Sequence, residues 1–157
     1  MSRTITCVIV SLLSFGVSLS ANAADVIHAT LVACPTGTKI GDVGSCGKIW
    51  KLKSGHASLS SDGMLKAEVK GLVLNDASTG QFNGTPDGVD GVAAAVICSG
   101  PAGAAVAAQT AVVPLAKNGD AKVEVKVSLP NGCIAPVIVL RERYEGNIGG
   151  WLAATGQ

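Results

Sequence analysis

Residues 121–140 read AKVEVKVSLPNGCIAPVIVL, and their reading decides the fold. The first half alternates without a break. Ala121, Val123, Val125, Val127 and Leu129 share one parity, while Lys122, Glu124, Lys126 and Ser128 share the other. A period of two sends one set to a core and the other to water, so this half predicts a half-buried strand. Leu129-Pro130-Asn131-Gly132 stops it, because Pro130 has no N–H for a ladder and Asn131-Gly132 accepts positive φ. After Cys133 the run Ile134 to Leu140 is apolar on both parities and predicts a strand covered on both faces, with Pro136 marking an edge or a bulge. The two strands and the turn between them are expected to form the core hairpin of an all-β domain.

The rest of the chain repeats the pattern. Residues 25–34 carry Ile27, Ala29, Leu31 and Ala33 on one parity, with His28 and Thr30 on the other. Residues 49–53 predict a short strand. Residues 56–59 and 64–74 predict a hairpin around Ser60-Ser61-Asp62-Gly63. Residues 104–113 contain good helix formers, but Gly100-Pro101 and Pro114 bound them and strand-like runs flank them, so hairpin strands are expected there. Lys117-Asn118-Gly119-Asp120 predicts a hairpin turn. Residues 75–91 and 141–150 predict surface loops, and 151–155 a final strand. Eight to ten short strands with regular turns predict an antiparallel β-sandwich, immunoglobulin-like in the loose sense. The Cys-Trp-Cys spacing of true immunoglobulin domains is absent, since neither Trp50 nor Trp151 lies between Cys98 and Cys133.

Residues 1–23 are expected to be a signal peptide rather than part of the fold. Arg3 supplies a positive start, residues 8–19 are mostly apolar but too short to span a bilayer, and Ala21-Asn22-Ala23 is a small-x-small cleavage pattern. Cleavage after Ala23 would leave residues 24–157 as one exported domain, periplasmic or extracellular, with no membrane span. The chain has 12 Lys and Arg and 11 Asp and Glu, so loss of Arg3 leaves it neutral. A neutral domain with few aromatics lacks the electrostatic footprint of a nucleic-acid or anionic-membrane binder.

Cys7 falls in the leader, and Cys34, Cys46, Cys98 and Cys133 remain. An even count in an exported chain predicts disulfides, with three pairings open. Cys34–Cys46 with Cys98–Cys133 is the preferred arrangement: the first closes a short Gly, Pro and Thr-rich loop, the second ties the end of one apolar strand to the turn before another. Chain entropy gives about 3 kcal/mol for the first and about 4 for the second. The longer bridge is expected to matter more, and the shorter to be peripheral. A zinc site is disfavoured because no C-x2-C pair occurs.

Motifs for catalysis are missing: the chain has no G-x-S-x-G, P-loop, dinucleotide fingerprint or H-E-x-x-H. Only His28 and His56 could act as a base, and no enzyme activity or cofactor is expected. The same two histidines, if they met across adjacent strands, would make half a copper or zinc site. Asp76, Asn83, Asp87 and Asp90 offer oxygen ligands between glycines, but without the alternation or closing Glu of a calcium loop. The plainer expectation is two outward-facing histidines and a solvated loop.

Three stretches carry a resemblance: GHASLSSDGMLKAEVKGLVL at 55–74, LPNGCIAPVIV at 129–139 and WLAATG at 151–156. Together they resemble a loose group of small exported bacterial proteins of unassigned activity, and more distantly chordin-type β domains. The resemblance covers residues 50–157 and implies export and a β fold, with Cys98 and Cys133 matching the group's paired cysteines; it implies no chemistry. The sequence thus predicts an exported, non-catalytic binding or cell-envelope module, with residues 75–91 and 141–150 as its contact surface for a protein or envelope partner. The alternative is a periplasmic protein that handles a metal or small ligand through His28, His56 or the acidic loop.

Overall fold

The computed structural model describes residues 23–86 and 88–156; the expected signal peptide, apart from Ala23, lies outside the described residues, as does Asp87. The fold is all-β and antiparallel. Its longer strands are β1 (Asp25–Ala33), β5 (Ser54–Ser60), β6 (Met64–Lys70), β8 (Val89–Gly100), β9 (Gly103–Gln109), β11 (Ala121–Lys126), β12 (Ile134–Tyr144) and β13 (Asn147–Thr155). Two-residue pieces complete it: β2 (Lys39–Ile40), β3 (Val43–Gly44), β4 (Trp50–Lys51), β7 (Val73–Leu74) and β10 (Val113–Pro114).

One hydrogen-bonded path runs β10-β8-β12-β13-β1-β5-β6-β11, with β9 also on β8. It folds over at β1, where Asp25 to Thr30 pair with β5 and Leu31 to Ala33 pair with β13. The result is a sandwich of a first sheet (β5, β6, β11 and the start of β1) and a second sheet (β8, β9, β10, β12, β13 and the end of β1). Leu59, Leu65, Val69 and Val123 from the first join Val92, Val96, Ile138, Leu140 and Leu152 in one core.

The alternating half of the opening stretch forms β11, with Lys122 and Glu124 outward and Val123 buried. It does not, however, form a hairpin with β12. β11 pairs with β6, whereas β12 lies between β8 and β13 in the second sheet. The centre of β12, Ile138 to Leu140, is buried on both parities and takes a neighbour on each edge. The intervening chain stays with the first sheet through Val127 N–H to Gly63 O (2.8 Å) before it crosses over. Pro136 does mark a bulge: the β12 register shifts between Ile134 and Val137, and Ala135 has φ 46°.

Two further expectations are corrected. The 117–120 turn exists, but it links β10 on β8 to β11 on β6, so it joins the two sheets instead of closing a hairpin. It docks on the chain after β6, with Leu72 N–H donating to Gly119 O and Gly71 N–H to Asp120 Oδ1, both at 2.9 Å. Residues 141–150 are not a loop. β12 continues to Tyr144 and β13 starts at Asn147, leaving Glu145-Gly146 as a two-residue turn with φ 48° and 78°. Both central residues have the positive φ of a type I′ hairpin. The long side chains that make this segment look solvated are committed: Arg143 forms a two-point ion pair with Asp90 (2.7 and 2.8 Å), and Arg141 donates to Gly149 O and Gln109 Oε1. Residues 104–113 give β9 and β10, as strand boundaries require.

Both disulfides form as expected, with Cα–Cα distances of 6.4 Å (Cys34–Cys46) and 5.0 Å (Cys98–Cys133). The shorter one is not peripheral. Cys34 and Cys46 are 1% and 3% exposed. Their N–H groups donate to Leu152 O and Trp151 O, which stitches both ends of the 34–46 excursion to β13. Its β2–β3 ribbon reaches β9, where Asp42 accepts from Val106 N–H at 3.1 Å. Glycine lets the backbones meet: a Cβ on Gly150 would sit 2.5 Å from Ser45 O, and one on Gly41 2.7 Å from Ala104 O. No described helix is long and apolar enough to cross a membrane.

Candidate functional site

Only five aromatic residues occur in the chain, and three of them line one cleft: Trp50, Phe82 and Tyr144. The cleft has a volume of about 350 Å³ and is completed by Lys48, Thr79 and Glu142, among others. The fold assembles it from distant pieces. Trp50 comes from β4, held opposite Leu74 of β7. The 75–88 connection follows that pairing, makes a 3-10 turn at Ala77–Phe82 and delivers Thr79 and Phe82. Asp76 caps this turn by accepting from Ser78 N–H at 2.9 Å. Glu142 and Tyr144 share one parity at the end of β12, and Tyr144 stands opposite Val89. Gly88, with φ 78°, lets the Tyr144 ring approach the backbone; a Cβ there would lie 2.5 Å from its Cε2.

Trp50 is nearly buried, whereas Phe82 and Tyr144 are 41% and 49% exposed. The cleft thus has an apolar floor and open aromatic walls. Glu142 is its half-buried charge. Burial raises its pKa above the usual carboxylate range, and the hydrogen bond from Gly150 N–H (3.3 Å) pulls the other way. No cation pairs with it among the described residues; Lys48 is 3.8 Å from Asp76 instead, and Arg143 is held by Asp90. The carboxylate has room to receive more donors than one backbone N–H. A second depression of about 490 Å³ shares Phe82, Gly88 and Val89 with the cleft and extends it past Asp90, Leu115 and Lys117.

The residues singled out from sequence are distributed differently. His28 and His56 do lie on adjacent strands of the first sheet. His28 stands opposite Ser58 and His56 opposite Thr30, so they are diagonal neighbours on one exposed face. His28 Nδ1 is 3.7 Å from Asp25. The acidic residues do not converge: Asp76 is a cap paired with Lys48, Asn83 ends the 3-10 turn, Asp90 belongs to Arg143, and Asp87 lies outside the described residues. No group of three metal-ligating side chains occurs among the described residues. Of the two segments expected to form a contact surface, both contribute to the cleft: 75–88 as a loop, 142–144 as a strand end.

Compared with known proteins, the chain matches no family model, no curated protein and no solved structure.

Proposed function

We propose that this chain is an exported, non-catalytic binding module whose working surface is the Trp50–Phe82–Tyr144 cleft. The observation that carries the reading is convergence. In a chain with 3% aromatic residues, three side chains from separate elements meet around a half-buried, unpaired carboxylate. A concave apolar site with few placed polar groups is the usual form of a small-ligand site. Export is supported by the leader-like residues 1–23 and by two disulfides, which persist in oxidising compartments. Membership of the small exported bacterial group is part of the same proposal. Against an enzyme stands the lining of the cleft: its described residues include no His, Ser or Cys, and the Thr79 hydroxyl donates to Asp76 O. No hydroxyl or thiol nucleophile is therefore paired with a histidine there.

The test is an amide-shift map of the disulfide-bonded 24–157 chain against a small-molecule fragment library. Perturbations concentrated at 47–50, 79–88 and 142–144 are expected. Hits that cluster instead on the depression formed by Val26, Asp62 and Lys126 would transfer the site to the far end of the first sheet.

A further inference from the structure

The charge pattern of the cleft narrows the ligand class, an inference that rests on the cleft being the binding site. Glu142 keeps a carboxylate at the wall with one backbone N–H as its donor. An anionic ligand would meet that carboxylate in a partly desolvated place, and the cation among the lining residues, Lys48, is 3.8 Å from Asp76. Neutral ligands can hydrogen-bond it but leave its charge uncompensated. A cation supplies what is missing, and aromatic faces attract cations through the ring quadrupole. Of the other charges beside the cleft, Arg143 and Asp90 pair with each other, and Arg141 is held by Gly149 O and Gln109 Oε1. The volume, about 350 Å³, suits a small molecule.

We infer that the cleft takes a small organic ammonium compound, its substituted nitrogen among Trp50, Phe82 and Tyr144 and its charge toward Glu142. Phe82 is itself exposed, so it can be altered without touching the core. Glu142→Gln keeps the acceptor for Gly150 N–H and removes only the charge.

The test uses the same 24–157 chain, calorimetric titration and amide-shift mapping, with three probes: choline, its uncharged isostere 3,3-dimethyl-1-butanol, and the neutral sugar maltose. Choline is expected to perturb the cleft, and the isostere to bind about tenfold more weakly or worse. Glu142→Gln and Phe82→Leu should each weaken choline by about three- to thirtyfold, from loss of the carboxylate partner and of an aromatic wall. If the isostere or maltose binds the cleft as well as choline and Glu142→Gln leaves binding unchanged, the ammonium inference is overturned while the cleft remains a binding site. If all three probes and the fragment library leave the cleft unperturbed, both readings fall.

Discussion

The two sheets meet water differently. In the first, every long strand has a wet face and a dry one. Lys66, Glu68, Lys70, Lys122 and Glu124 line the outside, where Glu124 pairs with Lys66 at 3.0 Å and Lys122 at 3.2 Å; Leu65, Ala67, Val69 and Val123 are buried inside. In the second sheet β8 is buried without interruption from Val92 to Cys98, and β13 from Trp151 to Thr155. Such strands need a cover on the side away from the core. The 34–46 excursion supplies part of it. The second sheet also holds both disulfides, at the end of β1 and at the end of β8. A sheet that is apolar on both faces recruits connecting chain as its second layer; Cys34–Cys46 closes that excursion beside its hydrogen bonds to β13, and Cys98–Cys133 ties β8 to the start of β12 next to the Ile134–Ser99 pair.

Breaking the fastenings should give the largest effect. Chain entropy favours the longer bridge, with 35 residues of separation against 12, by about 1 kcal/mol. Burial argues the other way, because Cys34 and Cys46 are deep in the cover and Cys98–Cys133 opens to a surface depression. We expect Cys34→Ala/Cys46→Ala to lose about 4–5 kcal/mol and Cys98→Ala/Cys133→Ala about 2–3, both within the range of native bridges in small domains. Denaturant melts of the two variants decide the order. A costlier Cys98 pair would mean that loop entropy outweighs the cover.

The cover can also be lifted without touching a cysteine. Gly150→Ala places a methyl 2.5 Å from the Ser45 carbonyl, and backbone is the contact, so the ribbon or β13 has to shift. A loss of about 1–3 kcal/mol is expected. Gly44→Ala, in the same excursion but with nothing within 4 Å of the new Cβ, should stay within about 0.5 kcal/mol. Equal losses in thermal or denaturant melts would show that the excursion does not press on β13.

This difference between sheets also governs what could be read from the chain. A strand with one wet face writes its period into the sequence, which is why β6 and β11 stand out in 64–70 and 121–126. The doubly covered β8 and β12 announce themselves as apolar runs but not their partners. The 121–140 stretch therefore suggests a hairpin, although its two strands belong to opposite sheets. Residues 141–150 read as a loop because Arg141, Glu142 and Arg143 look solvated; their partners, Gln109, Gly150 and Asp90, are remote or out of register in sequence. The site was hidden for the same reason. Histidines and aspartates draw attention as ligands, whereas Trp50, Phe82 and Tyr144 become a set only when β4 pairs with β7 and the end of β12 with the start of β8. The scarcity of aromatics was the available signal, and it needed the topology to point anywhere.

The smallest expected effect separates the sheets by pH. Glu124 of the first sheet has its pKa lowered, first by the hydrogen bonds from Lys66 and Lys122 and then by their charges. Its contribution is present above the ordinary glutamate range and is lost as pH falls through the lowered pKa. Glu142 of the second sheet is the reverse case. Burial raises its pKa, so its proton is held more tightly in the folded than in the unfolded chain. It contributes stability below the ordinary glutamate range, and that contribution disappears as pH rises through the raised pKa. The groups around it do not change the sign: Tyr144 shares its face, Lys48 is turned to Asp76, Arg141 and Arg143 lie on the other parity, and β13 offers only the backbone of Gly149 and Gly150. Glu142→Gln should therefore stabilise the protein at about pH 7, and the gain should vanish at about pH 3, where both glutamate states are protonated. Because the carboxyl keeps partial contact with water, screening holds the gain below about 1 kcal/mol. Glu124→Gln should shift stability the other way at neutral pH and likewise converge with the parent in acid. Denaturant melts of both variants at the two pH values check the pair. A loss on Glu142→Gln at neutral pH would mean that a cation of the protein already serves the carboxylate, and the cleft would then hold no vacancy for a charged ligand.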